Sequence, residues 1–330
     1  MTLPGTRTVT DPVGTHSDAV LPSDADTATT LSLRTANRQR TYAVTVVSPG
    51  AGSIAEYEVD EVLGRGGWAV VYRAHGPDGG VVALKVLNES HRRPDQLARL
   101  QREFDFARRL THPNIVRVYA ASEVWLAMEL IDGGTIGTLT MTSDRLKALT
   151  QIAAALDHAH RCGIVHCDVK PSNILVDKPF SRAVLIDFGV AHSVSEDVAI
   201  RLANDSGRLT LDPAKRITRQ SREPHAQVQA SLPYSAPELL SGRAPSAATD
   251  QYSLACTAIE MLTGSPPFTA NTAMGLVEHQ LHSPPPRISR QVSWIPHAVD
   301  SILAKAMAKS PDMRYNSCTE FMKLITRALR

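Results

Sequence analysis

An α+β fold is predicted, with a small β-rich lobe carrying one main helix (about residues 54–131) ahead of a larger, mainly α-helical lobe (about 132–330). Three observations predict it. Residues 57–87 alternate strand-like apolar runs around glycine turns. After Pro94 the apolar spacing switches to a helical period. Beyond residue 140, long helical patterns dominate to the end of the chain.

Bulk properties narrow the class. The 330 residues are 43% apolar and 21% charged, ordinary for a globular protein. A net charge of +2 gives no whole-molecule attraction to nucleic acid or to an anionic membrane. The four cysteines form no CxxC pair, so neither a zinc site nor a disulfide framework is signalled. No apolar run approaches the ~20 residues that span a bilayer, and no basic-then-apolar leader opens the chain. The expectation is a cytoplasmic protein without a membrane anchor.

Residues 1–53 are rich in Thr, Ser, Asp, Pro and Gly, with Tyr42 the one aromatic. Such a segment cannot bury enough apolar surface to offset its ordering entropy, so a disordered tail is expected, with a candidate short strand at 41–47. "YEVDEVL", "AVVYRAH" and "VVALKVL" follow as strands, the last two joined by the hairpin signal "PDGG" (77–80). The next helix is expected to carry Leu97, Leu100, Phe104, Ala107 and Leu110 near one face. "IVRVYA" and "VWLAMEL" read as two more strands.

In the second lobe, "TSDRLKALTQIAAALDHAHRCG" is a capped helix with Leu146, Leu149, Ile152, Ala153 and Leu156 on one face. "DQYSLACTAIEMLTG" (250–264) is apolar on nearly every side, as a helix buried within a lobe would be. Further helices are expected at 272–282, 297–308 and 317–329. Between 187 and 238 lies a long polar stretch with little periodicity.

Several short stretches carry chemistry. In "LGRGGWAVVY", Gly64 and Gly66 are either a plain turn or a place where backbone N–H groups approach phosphates. A dinucleotide fold would need a helix to follow at once, whereas "AVVYRAH" reads as strand. Lys85 is the only charge in a continuous apolar run; it is either solvent-facing or a phosphate partner held by a carboxylate such as Glu103. "HCDVKPSN" (166–173) crowds Asp168, Lys170 and Asn173 together, and Asp187 closes the apolar strand "AVLIDFG". Asn173 and Asp187 are oxygen ligands of the type hard Mg²⁺ prefers.

The order of these pieces resembles the eukaryotic-like (Hanks-type) Ser/Thr protein kinases, especially their bacterial branch. "GRGGWAVV", "VALK", Glu103, "HPNIV", "HCDVKPSN", "DFG", "APE" and "DQYSLACTAIEMLTGSPPF" occur in family order, from about 57 to 329. The resemblance implies a bilobal protein-kinase-like fold and a kinase domain at 54–330. It implies that Gly64, Arg65, Gly66, Gly67 and Val71 cover ATP, with Ala83 on the other side of the adenine. Met128 sits at a gatekeeper-like position, and Glu129 and Ile131 offer backbone groups to adenine. Lys85, oriented by Glu103, contacts the α/β-phosphates; Asp168 accepts the hydroxyl proton; Lys170 contacts the γ-phosphate; Asn173 and Asp187 hold Mg²⁺, with Mn²⁺ as an alternative ion. Glu238 is implied to pair with Arg314, and Asp250 to steady the catalytic loop. Implied substrates are Ser/Thr-bearing proteins, the chain itself included, and phosphothreonine-binding domains are candidate partners of a modified tail. The competing class is a pseudokinase that binds nucleotide without turnover; Asp187, Asp168 and Lys85 all stand against it.

Some positions depart from the pattern. Ala69 replaces the third glycine of the loop, and an altered nucleotide affinity is expected. Cys167 stands where an arginine is common in the family, and a thiol cannot form the charge-assisted pair with a phosphorylated loop residue. Catalysis is therefore expected not to require loop phosphorylation, with Cys167 a bystander. The basic segment 208–225 is either a solvated loop or a docking element with Thr210, Thr218 or Ser221 as modification sites. Ser231 keeps the hydroxyl that orients substrate.

Overall fold

A computed structural model describes residues 52–193 and 231–330. The tail up to residue 51, the candidate strand at 41–47 and the basic segment 208–225 lie outside the described residues. Five expected strands and one more form a single antiparallel sheet. Its members are β1 (Gly52–Ile54), β2 (Tyr57–Arg65), β3 (Ala69–His75), β4 (Val81–Leu87), β5 (Val118–Ala121) and β6 (Trp125–Glu129), in the order β1-β2-β3-β4-β6-β5. β1 straddles the boundary drawn at 53, pairing Gly52–Ile54 with Tyr57–Val59. A three-residue edge strand is too short to show an alternating pattern in the sequence.

Each turn follows its local chemistry. The β3–β4 hairpin closes at "PDGG": Gly76 N–H donates to Gly80 O at 2.8 Å, and Gly79 has φ +77°. β2 runs through Gly64 and Arg65, with Gly64 opposite Val71, so the turn proper begins only at Gly66. The expected strand at 115–120 is shorter than its sequence suggests. Residues 114–116 leave the sheet and bond instead to Leu185 of the second lobe, with Leu185 N–H on Asn114 O at 2.9 Å and Val116 N–H on Leu185 O at 3.0 Å. Those two bonds tie the lobes together.

The lone helix of the first lobe, α1 (Pro94–Arg109), buries Leu100, Glu103, Phe106 and Ala107. The expected face holds, with Leu97 and Phe104 half-buried against the cluster that contains Leu100, and Phe106, not expected there, is buried against the main core. Glu103 lies on that buried face, one turn beyond Leu100.

Helices make up most of the second lobe: α2 (Thr142–Arg161), α3 (Pro237–Leu240), α4 (Ala247–Thr263), α5 (Ala273–His282), α6 (His297–Ala306) and α7 (Cys318–Ala328). α4 is buried from Thr249 to Ile259, confirming a helix enclosed by its lobe. Gly264 ends it in the left-handed conformation, φ +84°, donating to Glu260 O at 2.7 Å. Two small ribbons complete the lobe. β8 (Ile174–Val176) pairs with β9 (Ala183–Leu185), and β7 (Ile164–Val165) with β10 (His192–Ser193). The core runs through Leu149, Ile152, Leu156, Phe188, Tyr252 and Phe321, all below 2% exposed. Each such side chain contributes about 1.5–3 kcal/mol by leaving water. No helix among the described residues is long and apolar enough to cross a membrane.

Candidate active site

Lys85 sits mid-strand in β4, opposite Val71 and Leu126. Its side chain is buried, which rules out the solvent-facing alternative. The ammonium donates to both carboxylate oxygens of Glu103, at 2.9 and 2.7 Å, and lies 3.7 Å from Asp187 Oδ1. Burial pushes the Glu103 carboxyl up, and the Lys85 charge opposes that shift. A strand, a helix and a ribbon end thus converge on one nitrogen.

The second cluster forms around Asp168. Lys170 Nζ donates to Asp168 Oδ2 at 2.8 Å and to Ser231 Oγ at 2.7 Å. Asn173 Nδ2 donates to Asp168 O at 2.8 Å and to Asp168 Oδ2 at 3.0 Å. That commitment leaves the Asn173 carbonyl oxygen as the group it can offer a cation. The Ile186 N–H, next to Asp187, donates to Asn173 O at 3.0 Å, joining this cluster to the Asp187 strand.

Helix α4 holds the loop from beneath. Asp250 accepts from the His166 N–H at 2.8 Å and the Cys167 N–H at 2.7 Å, and its Oδ2 lies 2.7 Å from His160 Nε2. Burial alone would raise the Asp250 carboxyl; the His160 contact and the remaining donors outweigh it and hold it below the ordinary range. Cys167, so anchored, adopts φ +67°. His166 Nε2 donates to Ile186 O at 3.0 Å, and the ring meets the Phe188 ring edge-on at 4.7 Å. Phe188 is fully buried in the main core.

Asp187 has φ +66° and is ringed by cations. Burial raises its carboxyl, but Lys85, Arg99, His166 and Lys170 together hold it well below the usual carboxylate range. It is ionised at any ordinary pH, as a cation ligand must be. Asp187 and Asn173 offer one carboxylate and one amide oxygen, a hard donor set suited to Mg²⁺ or Mn²⁺.

The residues expected around a nucleotide are placed as follows. Ala83, Met128 and Ile131 are buried in one apolar cluster, against which Val71 packs. Glu129 cannot offer its N–H, which already donates to Arg117 O at 2.8 Å, so its carbonyl remains; its carboxylate is bound by Arg182 at 2.7 Å. Gly64 and Gly67 meet nothing within 4 Å of an added Cβ, so no contact among the described residues requires glycine there.

Two further residues enter the site that no motif announces. Trp68, at the tip of the glycine-rich turn, is only 5% exposed and belongs to the same cluster as Ala83, Met128 and Ile131. Arg99, one turn before Glu103, lies 3.7 Å from Asp187 Oδ2, and its buried Nε has no acceptor among the described residues. Leaving such a donor unmet costs about 1–3 kcal/mol. Their only sequence signals were an aromatic inside a glycine run and the four-residue spacing of Arg99 from Glu103.

The protein kinase domain model matches residues 57–325. The chain belongs to the protein kinase family. Within it, the chain is 37% identical over 296 residues to the serine/threonine-protein kinase PknJ of Mycobacterium tuberculosis, covering 84% of this chain and 46% of that one. It is 34% identical over 297 residues to PknF of the same organism, covering 84% and 57%. The chain thus matches only about half the length of these relatives. The crystal structure of the M. tuberculosis PknI kinase domain superposes with a TM-score of 0.62 at 28% identity, covering 86% of this chain and 99% of that one. These likenesses place it in the bacterial branch of the Hanks-type Ser/Thr kinases, with the bilobal kinase fold. The family uses ATP with a divalent cation.

Proposed function

We propose that this kinase transfers the γ-phosphate of Mg-ATP to Ser and Thr hydroxyls of proteins, itself included. The observation that supports the reading most is the buried Lys85, bonded to Glu103 of the first lobe and 3.7 Å from Asp187 of the second. Such a cation, preorganised at the lobe junction, suits developing phosphate charge.

In this reading Gly64, Arg65, Gly66, Gly67 and Val71 cover the nucleotide. Ala83 packs on the adenine beside Met128, while the Glu129 carbonyl and the Ile131 backbone fix its edge. Lys85, oriented by Glu103, takes the α/β-phosphates. Asp168 accepts the proton as the substrate oxygen attacks the γ-phosphorus, the new O–P bond forms, and ADP departs with the bridging electrons. Lys170 steadies the γ-phosphate, and Ser231, bonded to it, sets where the hydroxyl is presented. Asn173 and Asp187 hold the cation, Mg²⁺ or Mn²⁺, which supplies charge neutralisation of the phosphates when bound.

The kinase domain spans 54–330, preceded by a tail whose Thr and Ser residues are candidates for self-modification and for capture by phosphothreonine-binding domains. The chain acts in the cytoplasm. The test is to incubate the purified chain with Mg²⁺ and γ-labelled ATP, beside Asp168→Asn. Label should reach Ser or Thr and fall by on the order of 10²–10⁴-fold in the variant. Equal labelling by both proteins would reject the assignment of Asp168.

A further inference from the structure

Trp68 and Arg99 stand where the proposed nucleotide site needs space and a free carboxylate. The Trp68 ring centroid is 4.6 Å from Lys85 Nζ and 4.7 Å from the Arg99 guanidinium carbon. Both cations also face Asp187, each at 3.7 Å. The site is therefore balanced electrically by its own side chains: two cations share one carboxylate, one indole face and Glu103. The indole is buried in the same apolar cluster as Ala83, Met128, Ile131 and Val184.

Arg99 is seated closely. A Cβ at residue 189 would lie 2.9 Å from both its Cγ and its Nε, so Gly189 makes room for it directly beside Asp187. Yet the seat is loose in polar terms. The Asp187 contact exceeds hydrogen-bond length, and Nε has no acceptor although buried. An interaction that occupies the carboxylate without satisfying the guanidinium is suited to being exchanged.

We propose that Arg99 and Trp68 compete with Mg-nucleotide: Arg99 positions Asp187 and yields it to the cation, and Trp68 gives up its contacts with Lys85 and Arg99 as the nucleotide enters. The inference rests on the nucleotide-binding reading above and adds a competition to it. A group that binds only the empty state weakens apparent ligand affinity by the linkage between the two equilibria. Arg99 is thus a positioning residue that sets how much Mg²⁺ the enzyme requires.

The experiment uses the full chain, a non-hydrolysable ATP analogue and a Mg²⁺ titration, read by tryptophan emission and by calorimetry. Wild type should change its emission on binding. Trp125→Phe and Trp294→Phe should keep that change, and Trp68→Phe should lose it. Arg99→Gln should lower the half-saturating Mg²⁺ roughly fivefold, and Arg99→Lys, which retains the charge, should return it toward wild type. A rise in the Mg²⁺ requirement in Arg99→Gln would make Arg99 a phosphate ligand and overturn the proposal. So would an unchanged requirement, or an emission change that survives in Trp68→Phe. Absence of any nucleotide binding by wild type would instead reject the underlying kinase reading.

Discussion

Two buried ion pairs serve this molecule in opposite ways. In the second lobe, Arg314 donates to Glu238 through two parallel bonds of 2.8 Å, and two further N–H groups reach Ala248 O and Ala308 O, so each of its three nitrogens has an acceptor. Thr249 Oγ1 adds a bond to Glu238 at 2.9 Å. That pair is saturated. In the cleft, Lys85 bonds Glu103 but keeps a second, longer contact to Asp187, and Arg99 beside it has an unmet donor. The lesson is that a buried charge with every partner in place acts as scaffold, whereas one with capacity to spare is available for a ligand.

The sharpest way to break the comparison is Lys85→Met. Phosphorylation of a protein substrate should fall by on the order of 10²–10³-fold in kcat, while the melting temperature drops less than in Arg314→Met. The second test is Arg314→Met itself, which strands Glu238 in the core. It should cost about 3–5 kcal/mol in denaturant unfolding and leave activity per folded molecule in place at low temperature. If Lys85→Met proved the more destabilising, the division between scaffold and site would collapse.

Asp250 sharpens the boundary, since it is saturated like a scaffold yet shapes the catalytic loop. Asp250→Asn should cost about 1–3 kcal/mol and slow turnover. Its pH signature has a definite sign. The folded carboxyl is depressed, so its stabilisation is fully present above the unfolded value, ~3.9, and is lost as pH falls through the folded one. The acid limb of wild-type unfolding should therefore be steeper than that of the asparagine variant. Smallest of all is Cys167→Ser, for which stability should move by no more than about 0.5 kcal/mol and the labelling rate should match wild type.

Most of the site was legible because its residues occur in motifs with fixed spacing. Asp168, Lys170 and Asn173 are bonded to one another within one short loop, and Lys85 and Glu103 meet as the family order implies. The helices of the second lobe were legible from periodicity and caps, α4 most clearly since it is apolar all round. What escaped depended on tertiary choice. Phe104 and Phe106 pack against different clusters, and a one-face reading of the helix catches only the first. Residues 114–116 look like strand but pair with Leu185 instead of the first sheet. Trp68 folding inward and Arg99 reaching Asp187 depend on side-chain packing across the cleft, which no local pattern encodes.

Asp250 grips two successive amides from the helix below, so the left-handed turn at Cys167 is held through the main chain, with the thiol adding a 3.7 Å contact to Val165 O. Loop shape at that position thus rests mainly on main-chain donors. A side chain exchanged at 167 leaves both amides, and Asp168 beside them, still held from α4.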